Sequence, residues 1–128
     1  MIYGVGIDLI EPDRIKRELL RSGDRFFREI FTEGEIEYCA RSPNLSVRSQ
    51  CLAGRLSAKE AFFKAIGTGL RDGLRWHDVE VSNDRLGKPR FVLRNRAREL
   101  IERARISNIQ LTITHRKNSV AAVVILER

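Results

Sequence analysis

The chain has 128 residues, 42% hydrophobic and 32% charged, which fits one soluble globular domain over 1–128 with a core of its own. Its net charge of +7 calls for an anionic partner and leaves nucleic acid, an acidic protein and a phosphorylated cofactor open. No apolar run approaches the roughly 18 residues of a membrane span, and the apolar start meets Asp8 too early, with no basic segment before it, to be a signal peptide.

In chain order, residues 2–8 (IYGVGID) read as a strand whose two glycines suggest close backbone approach. Glu11-Pro12-Asp13 then opens a helix, since proline suits a first turn and acids suit the positive end of the dipole. This helix runs to about Arg21, with Ser22-Gly23-Asp24 as its end, and residues 25–31 form a short helix or turn. Thr32 and Glu35 have capping-box spacing for a helix to about Ala40, which Ser42-Pro43-Asn44 breaks. Residues 45–66 are the best helical stretch, closed by Gly67-Thr68-Gly69.

Beyond residue 70 the period changes. Residues 77–83 (HDVEVSN) alternate as a strand, 84–89 turn, and 90–93 form a second strand. Residues 95–105 make a basic amphipathic helix whose arginines read mostly as solvated surface, and 109–115 and 120–126 are strands joined as a hairpin. The expected fold class is therefore α+β: an N-terminal strand, several helices and a mainly antiparallel sheet. Cys39 and Cys51 have no Cys or His near them at metal spacing and are expected as reduced thiols in a cytoplasmic protein, with a disulfide or redox role as the alternative.

Few residues stand out chemically. Asp8 ends a strand, where a carboxylate can hold a metal or simply serve as a turn or N-cap acid. Glu60 and Lys64 lie four apart on one helix face, a spacing that also describes an ordinary surface ion pair. Phosphoryl transfer would use all three residues. Mg²⁺ prefers oxygen ligands and is often held by one or two carboxylates plus substrate phosphates. Asp8 and Glu60 make such a pair if the fold unites them, with Lys64 beside it to neutralise a pyrophosphate. Gly67-Thr68-Gly69-Leu70 is not a phosphate-binding P-loop, and no GxGxxG is present.

Residues 3–11 (YGVGIDLIE), followed by Arg14-Ile15, resemble the first signature of bacterial holo-acyl-carrier-protein synthases, within the 4′-phosphopantetheinyl transferase family. Residues 52–69 (LAGRLSAKEAFFKAIGTG) are similar to the second, and 76–81, 87–89 and 111–115 resemble later segments in the right order. Together they span nearly the full length. Leu56 stands where the family usually has an aromatic residue and Thr112 where it has serine; both keep the general character.

The resemblance implies transfer of 4′-phosphopantetheine from coenzyme A to a serine of an acidic acyl carrier protein, in support of fatty acid biosynthesis. It implies Mg²⁺ on Asp8 and Glu60, with Lys64 acting on the coenzyme A phosphates and in catalysis. Arg55, Gly67, Thr68 and His115 are implied on coenzyme A as well. Lys88 reads equally as a turn residue or a phosphate contact. A homotrimer with sites between subunits is implied too, and carrier docking on the first helix. Arg14, Arg21 and Arg25 fall at i, i+7 and i+11, one face if the helix line continues, with Arg17 at its edge. The rival reading is a small basic nucleic-acid-binding protein. Against it stand an aromatic content of 7%, the lack of any such binding motif, and acids that fall in the enzyme's motif positions, so neither nucleic acid nor membrane is an expected partner.

Overall fold

The first and last strands meet. A computed structural model describes residues 1–21 and 24–128, and of Asp24 the backbone alone. Strand β1 (Ile2–Ile10) pairs antiparallel with β5 (Ser119–Glu127), which pairs antiparallel with β4 (Asn108–Arg116). A separate two-stranded ribbon joins β2 (Val79–Asn83) to β3 (Pro89–Leu93), so the expected antiparallel sheet is divided into two.

Between β1 and the ribbon come helices α1 (Pro12–Arg21), α2 (Asp24–Ile30), α3 (Glu33–Cys39) and α4 (Leu45–Ile66). Helix α5 (Asn95–Arg103) follows β3. Among the described residues no helix is long and apolar enough to cross a membrane. Ser22 and Gly23, read as the end of the first helix, lie outside the described residues. Arg25 sits on α2, beyond residues 22 and 23.

Helix α4 is the axle. From Leu52 to Lys59 every residue is buried, so the helix is enclosed on all sides rather than amphipathic. One core packs its second half, through Phe62, Phe63 and Ala58, against Val79, Val81, Val124 and Leu126. The other packs Leu52 and Leu56 against Ile15, Phe27 and Phe31 of the preceding elements. Asn44 caps its start by accepting from the Val47 N–H, at 3.1 Å, and Gly67 closes it at φ 90°.

The Thr32/Glu35 capping box forms as expected, and Glu35 then exceeds its expected role. Its Oε1 lies 2.7 Å from Nζ of the wholly buried Lys59, and its Oε2 accepts from the Val81 N–H at 2.8 Å. Burial pulls the Lys59 ammonium down and Glu35 pushes it back up. This pair ties α3, α4 and β2 together, and removing one partner alone would leave a buried charge, at a cost of about 3–5 kcal/mol.

Two further expectations need correction. His77 and Asp78 do not begin a strand; residues Trp76–Asp78 form a 3₁₀ turn. The cause is the buried Asp78 carboxylate, which accepts from the Arg75 N–H and from Asn95 Nδ2, both at 3.1 Å, and so bends the chain before β2. Cys39 and Cys51 are not free thiols but a disulfide, with Cα atoms 5.5 Å apart. Packing of the end of α3 on α4 brings them together, a contact that spacing along the chain does not reveal. Closing a loop of this size is worth roughly 2–4 kcal/mol.

Candidate active site

Asp8 and Glu60 meet because β1 lies directly on α4. A Cβ on Gly6 would fall 1.8 Å from the Ala61 carbonyl oxygen, and one on Gly4 would fall 2.0 Å from that of Ala65. Only glycine permits this approach. Alternation along β1 then points Gly4, Gly6 and Asp8 at α4 and turns Val5, Ile7 and Leu9 outward. Ser57 on α4 donates to the Asp8 carbonyl oxygen at 2.9 Å and fixes the strand at this level.

The Glu60 carboxyl is within hydrogen-bonding reach of Asp8. Burial pushes it above its ordinary value, the Asp8 carboxylate adds to the rise, and Arg14 and Lys64 pull it back. Lys64 Nζ donates to Asp8 Oδ1 at 3.2 Å and to the Ile7 carbonyl oxygen at 3.0 Å while remaining half exposed. Two carboxylates and a lysine thus converge at the β1–α4 crossing. The exposed Arg14, expected only on the docking face, is near enough for its charge to lower the Glu60 carboxyl.

A cleft of about 360 Å³ opens elsewhere, between α3, the first half of α4, the β2–β3 turn and the end of β4. Its walls include Tyr38, Cys51, Arg55, Asn83, Ile113 and His115. Arg55 is 4% exposed. One end of its guanidinium donates to Asn83 Oδ1, its Cζ lies 4.3 Å from the centre of the Tyr38 ring, and its buried Nε has no hydrogen-bond partner. Burial pulls this guanidinium down, opposed chiefly by Glu35. Asn83 in turn donates to the Gly87 carbonyl oxygen at 2.9 Å, which ties the turn to the cleft. A buried cation with a spare donor in a hollow of this size suits an anionic ligand.

The structure therefore divides the expected coenzyme A residues. Arg55 and His115 share the cleft. Gly67 and Thr68 lie past Lys64, where α4 ends. Lys88 is exposed in the β2–β3 turn, where its backbone N–H binds Asp84 Oδ1 at 2.9 Å, and it borders a separate hollow over β4. Of the remaining docking residues, Arg17 and Arg21 are exposed on α1, and Arg25 is exposed on α2. Tyr38 and Asn83 were not singled out from sequence, and no local signal marks them, because their positions depend on tertiary packing.

The 4′-phosphopantetheinyl transferase superfamily matches residues 4–124. A holo-[acyl-carrier-protein] synthase from Geobacter sp. (strain M21) is 45% identical over 128 residues, all of both chains. The crystal structure of holo-[acyl-carrier-protein] synthase from Neisseria meningitidis superposes with a TM-score of 0.85 at 30% identity, covering 100% of both chains. The synthase from Bacillus anthracis, solved in complex with CoA (3′,5′-ADP), gives 0.81 at 36% identity, covering 99% of this chain and 97% of its own.

Proposed function

The chain belongs to the 4′-phosphopantetheinyl transferase superfamily, and from that premise we propose that the β1–α4 crossing is its Mg²⁺-dependent transfer site. The activity is that of a holo-acyl-carrier-protein synthase: 4′-phosphopantetheine passes from coenzyme A to a serine of apo acyl carrier protein, releasing 3′,5′-ADP, in support of fatty acid synthesis. The observation that carries the site is the meeting of Asp8 and Glu60. Their crowded like charges form an oxygen-only donor pair that a divalent cation would relieve. Among the described residues no group of three or more His, Cys, Asp or Glu offers a competing metal site.

When bound, the metal would neutralise pyrophosphate oxygens and charge on the leaving 3′,5′-ADP. Asp8 and Glu60 would hold it through their carboxylate oxygens. Lys64, anchored on the Ile7 carbonyl, keeps an ammonium at the same point to meet phosphate oxygens. The serine oxygen bonds to the β-phosphorus as the bond toward the α-phosphate breaks, and the serine proton passes to this carboxylate pair or to water beside it. The residues mainly position and neutralise.

One copy of the chain does not gather the whole site. Glu60 and Arg55 are five residues apart on α4, so they point roughly 140° away from each other. We place coenzyme A between two copies, with the carboxylate pair, Lys64, Gly67 and Thr68 from one and the Arg55/His115 cleft from the next, in a homotrimer. The outward face of β1 supports this: Val5, Ile7 and Leu9 are 55%, 61% and 70% exposed, an apolar row at a sheet edge. Mixing tests it. Glu60→Ala and Arg55→Gln should each be nearly inactive, and exchange of subunits between them should restore about a quarter of wild-type transfer, since each intact site needs one copy of each kind. Mixed trimers seen by native mass spectrometry with no recovered transfer would rule out the shared site.

Carrier docking is assigned to α1 and the start of α2. The Arg14 charge is felt at Glu60, so a carrier docked over α1 would lie within reach of the metal pair. Arg17 and Arg21 test docking without touching that pair. Their double reversal to glutamate should raise the carrier KM about tenfold, and more at low salt, while the coenzyme A KM stays level. A normal carrier KM across a salt series would move docking to another face.

A further inference from the structure

The Cys39–Cys51 disulfide stands at the wall of the Arg55 cleft. Cys39 follows Tyr38 in the last turn of α3, and Cys51 lies one turn before Arg55 on α4. The bond therefore joins the two elements whose neighbouring side chains make the inner wall of the cleft. The Tyr38 ring packs under the Arg55 guanidinium, and Arg55 Nη1 is 3.7 Å from Cys51 Sγ. Helix α3 has seven residues, too few to persist alone. Its first turn is held by the Thr32/Glu35 box and the Glu35–Lys59 pair, and its last turn by the disulfide. The two sulfurs also differ in access: Cys39 is 3% exposed, whereas Cys51 is half-buried and opens into the cleft.

We propose that the Cys39–Cys51 disulfide is a reversible redox control on coenzyme A binding, closed when it holds Tyr38 against Arg55 and loosened when a dithiol reduces it. The inference rests on the cleft being part of the coenzyme A site. A thiolate of the dithiol enters by the cleft and attacks Cys51 Sγ, forming a mixed disulfide there and expelling the Cys39 thiolate, which takes a proton. The second thiol of the reductant closes its own disulfide and releases Cys51 as a thiol. Two electrons and two protons pass from the dithiol to the cysteine pair. The last turn of α3 then pivots about its anchored first turn, and Tyr38 leaves Arg55. Asp8, Glu60 and Lys64 belong to the β1–α4 crossing, away from this wall, so the chemical step is spared.

The test compares oxidised protein with protein reduced by dithiothreitol, the state of each confirmed by alkylation and intact mass. Reduction should raise the coenzyme A KM about three- to tenfold, the scale of one cation–π contact and the order that goes with it, with kcat unchanged within about twofold. Reoxidation should restore the low value. Bound coenzyme A, filling the cleft, should slow reduction of the wild type, an effect that a merely stabilising disulfide would not give. Cys39→Ala should show the high KM and ignore the dithiol, and Tyr38→Leu should show it in both redox states. Equal coenzyme A KM in fully oxidised and fully reduced protein overturns the redox control and leaves the transferase reading standing. Absence of transfer in both states overturns that reading and this one with it.

Discussion

Asp8→Asn and Glu60→Gln should each lower transfer at least about 100-fold, since a cation held by two protein carboxylates and substrate oxygens loses half its protein ligands with either change. The fold should survive. Glu60→Gln removes one of two crowded like charges, so its thermal stability should hold or rise, whereas Asp8→Asn also gives up the ion pair with the half-exposed Lys64 and should stay near wild type. The loss should ease at high Mg²⁺, because a weakened site fills by mass action. Assays of both variants across a Mg²⁺ series, with melting curves alongside, check this. Near-normal transfer by either variant at low Mg²⁺ would remove that residue from the metal site.

The second large effect comes from a methyl group away from the chemistry. Gly6→Ala places its Cβ 1.8 Å from the backbone oxygen of Ala61, which cannot rotate aside as a side chain would. The strand must lift from α4, at an expected cost of about 1–3 kcal/mol, the usual range for overpacking. Asp8 lies two residues further on the same face of β1, so it moves with the strand, and a misplacement near 1 Å is worth about 100-fold in rate. Gly6→Ala should therefore lose both stability and transfer, whereas the ligand variants lose transfer alone. A Gly6→Ala protein as stable and as active as wild type would mean that close packing of β1 on α4 does not position Asp8.

Much of this arrangement was legible in the residues. The glycines of residues 2–8 announced a close backbone approach, and α4 supplies the partner. Capping residues placed the start of α3 and the glycine stop of α4, because cap chemistry is local. The spacing of Glu60 and Lys64 put them on one face, but only the resemblance linked them to Asp8, since periodicity within one element carries no information about its partner.

What escaped depends on packing between distant segments. Glu35 read as a capping acid, yet its carboxylate also holds a buried lysine and the β2 backbone. Cys39 and Cys51 read as thiols from their spacing along the chain, while the docking of α3 on α4 decides their pairing. Arg14 read as a surface charge, and it is exposed, yet the turn from β1 into α1 brings its charge near enough to act on Glu60. The five-residue spacing of Arg55 and Glu60 already sets them on different faces of α4, but the meeting of Arg55 with His115 in one cleft depends on packing.

Two carboxylates at the β1–α4 crossing are proposed to hold the metal for phosphopantetheinyl transfer. The most direct measurement is the intact mass of an apo acyl carrier protein after incubation with wild-type protein and coenzyme A, first with a chelator and then with Mg²⁺ restored, beside the Glu60→Gln variant. The expected result is a gain of one phosphopantetheine group that needs Mg²⁺, appears with 3′,5′-ADP, and is nearly absent with Glu60→Gln at the same Mg²⁺ concentration. Equal modification with the chelator present, or by Glu60→Gln at low Mg²⁺, would contradict it.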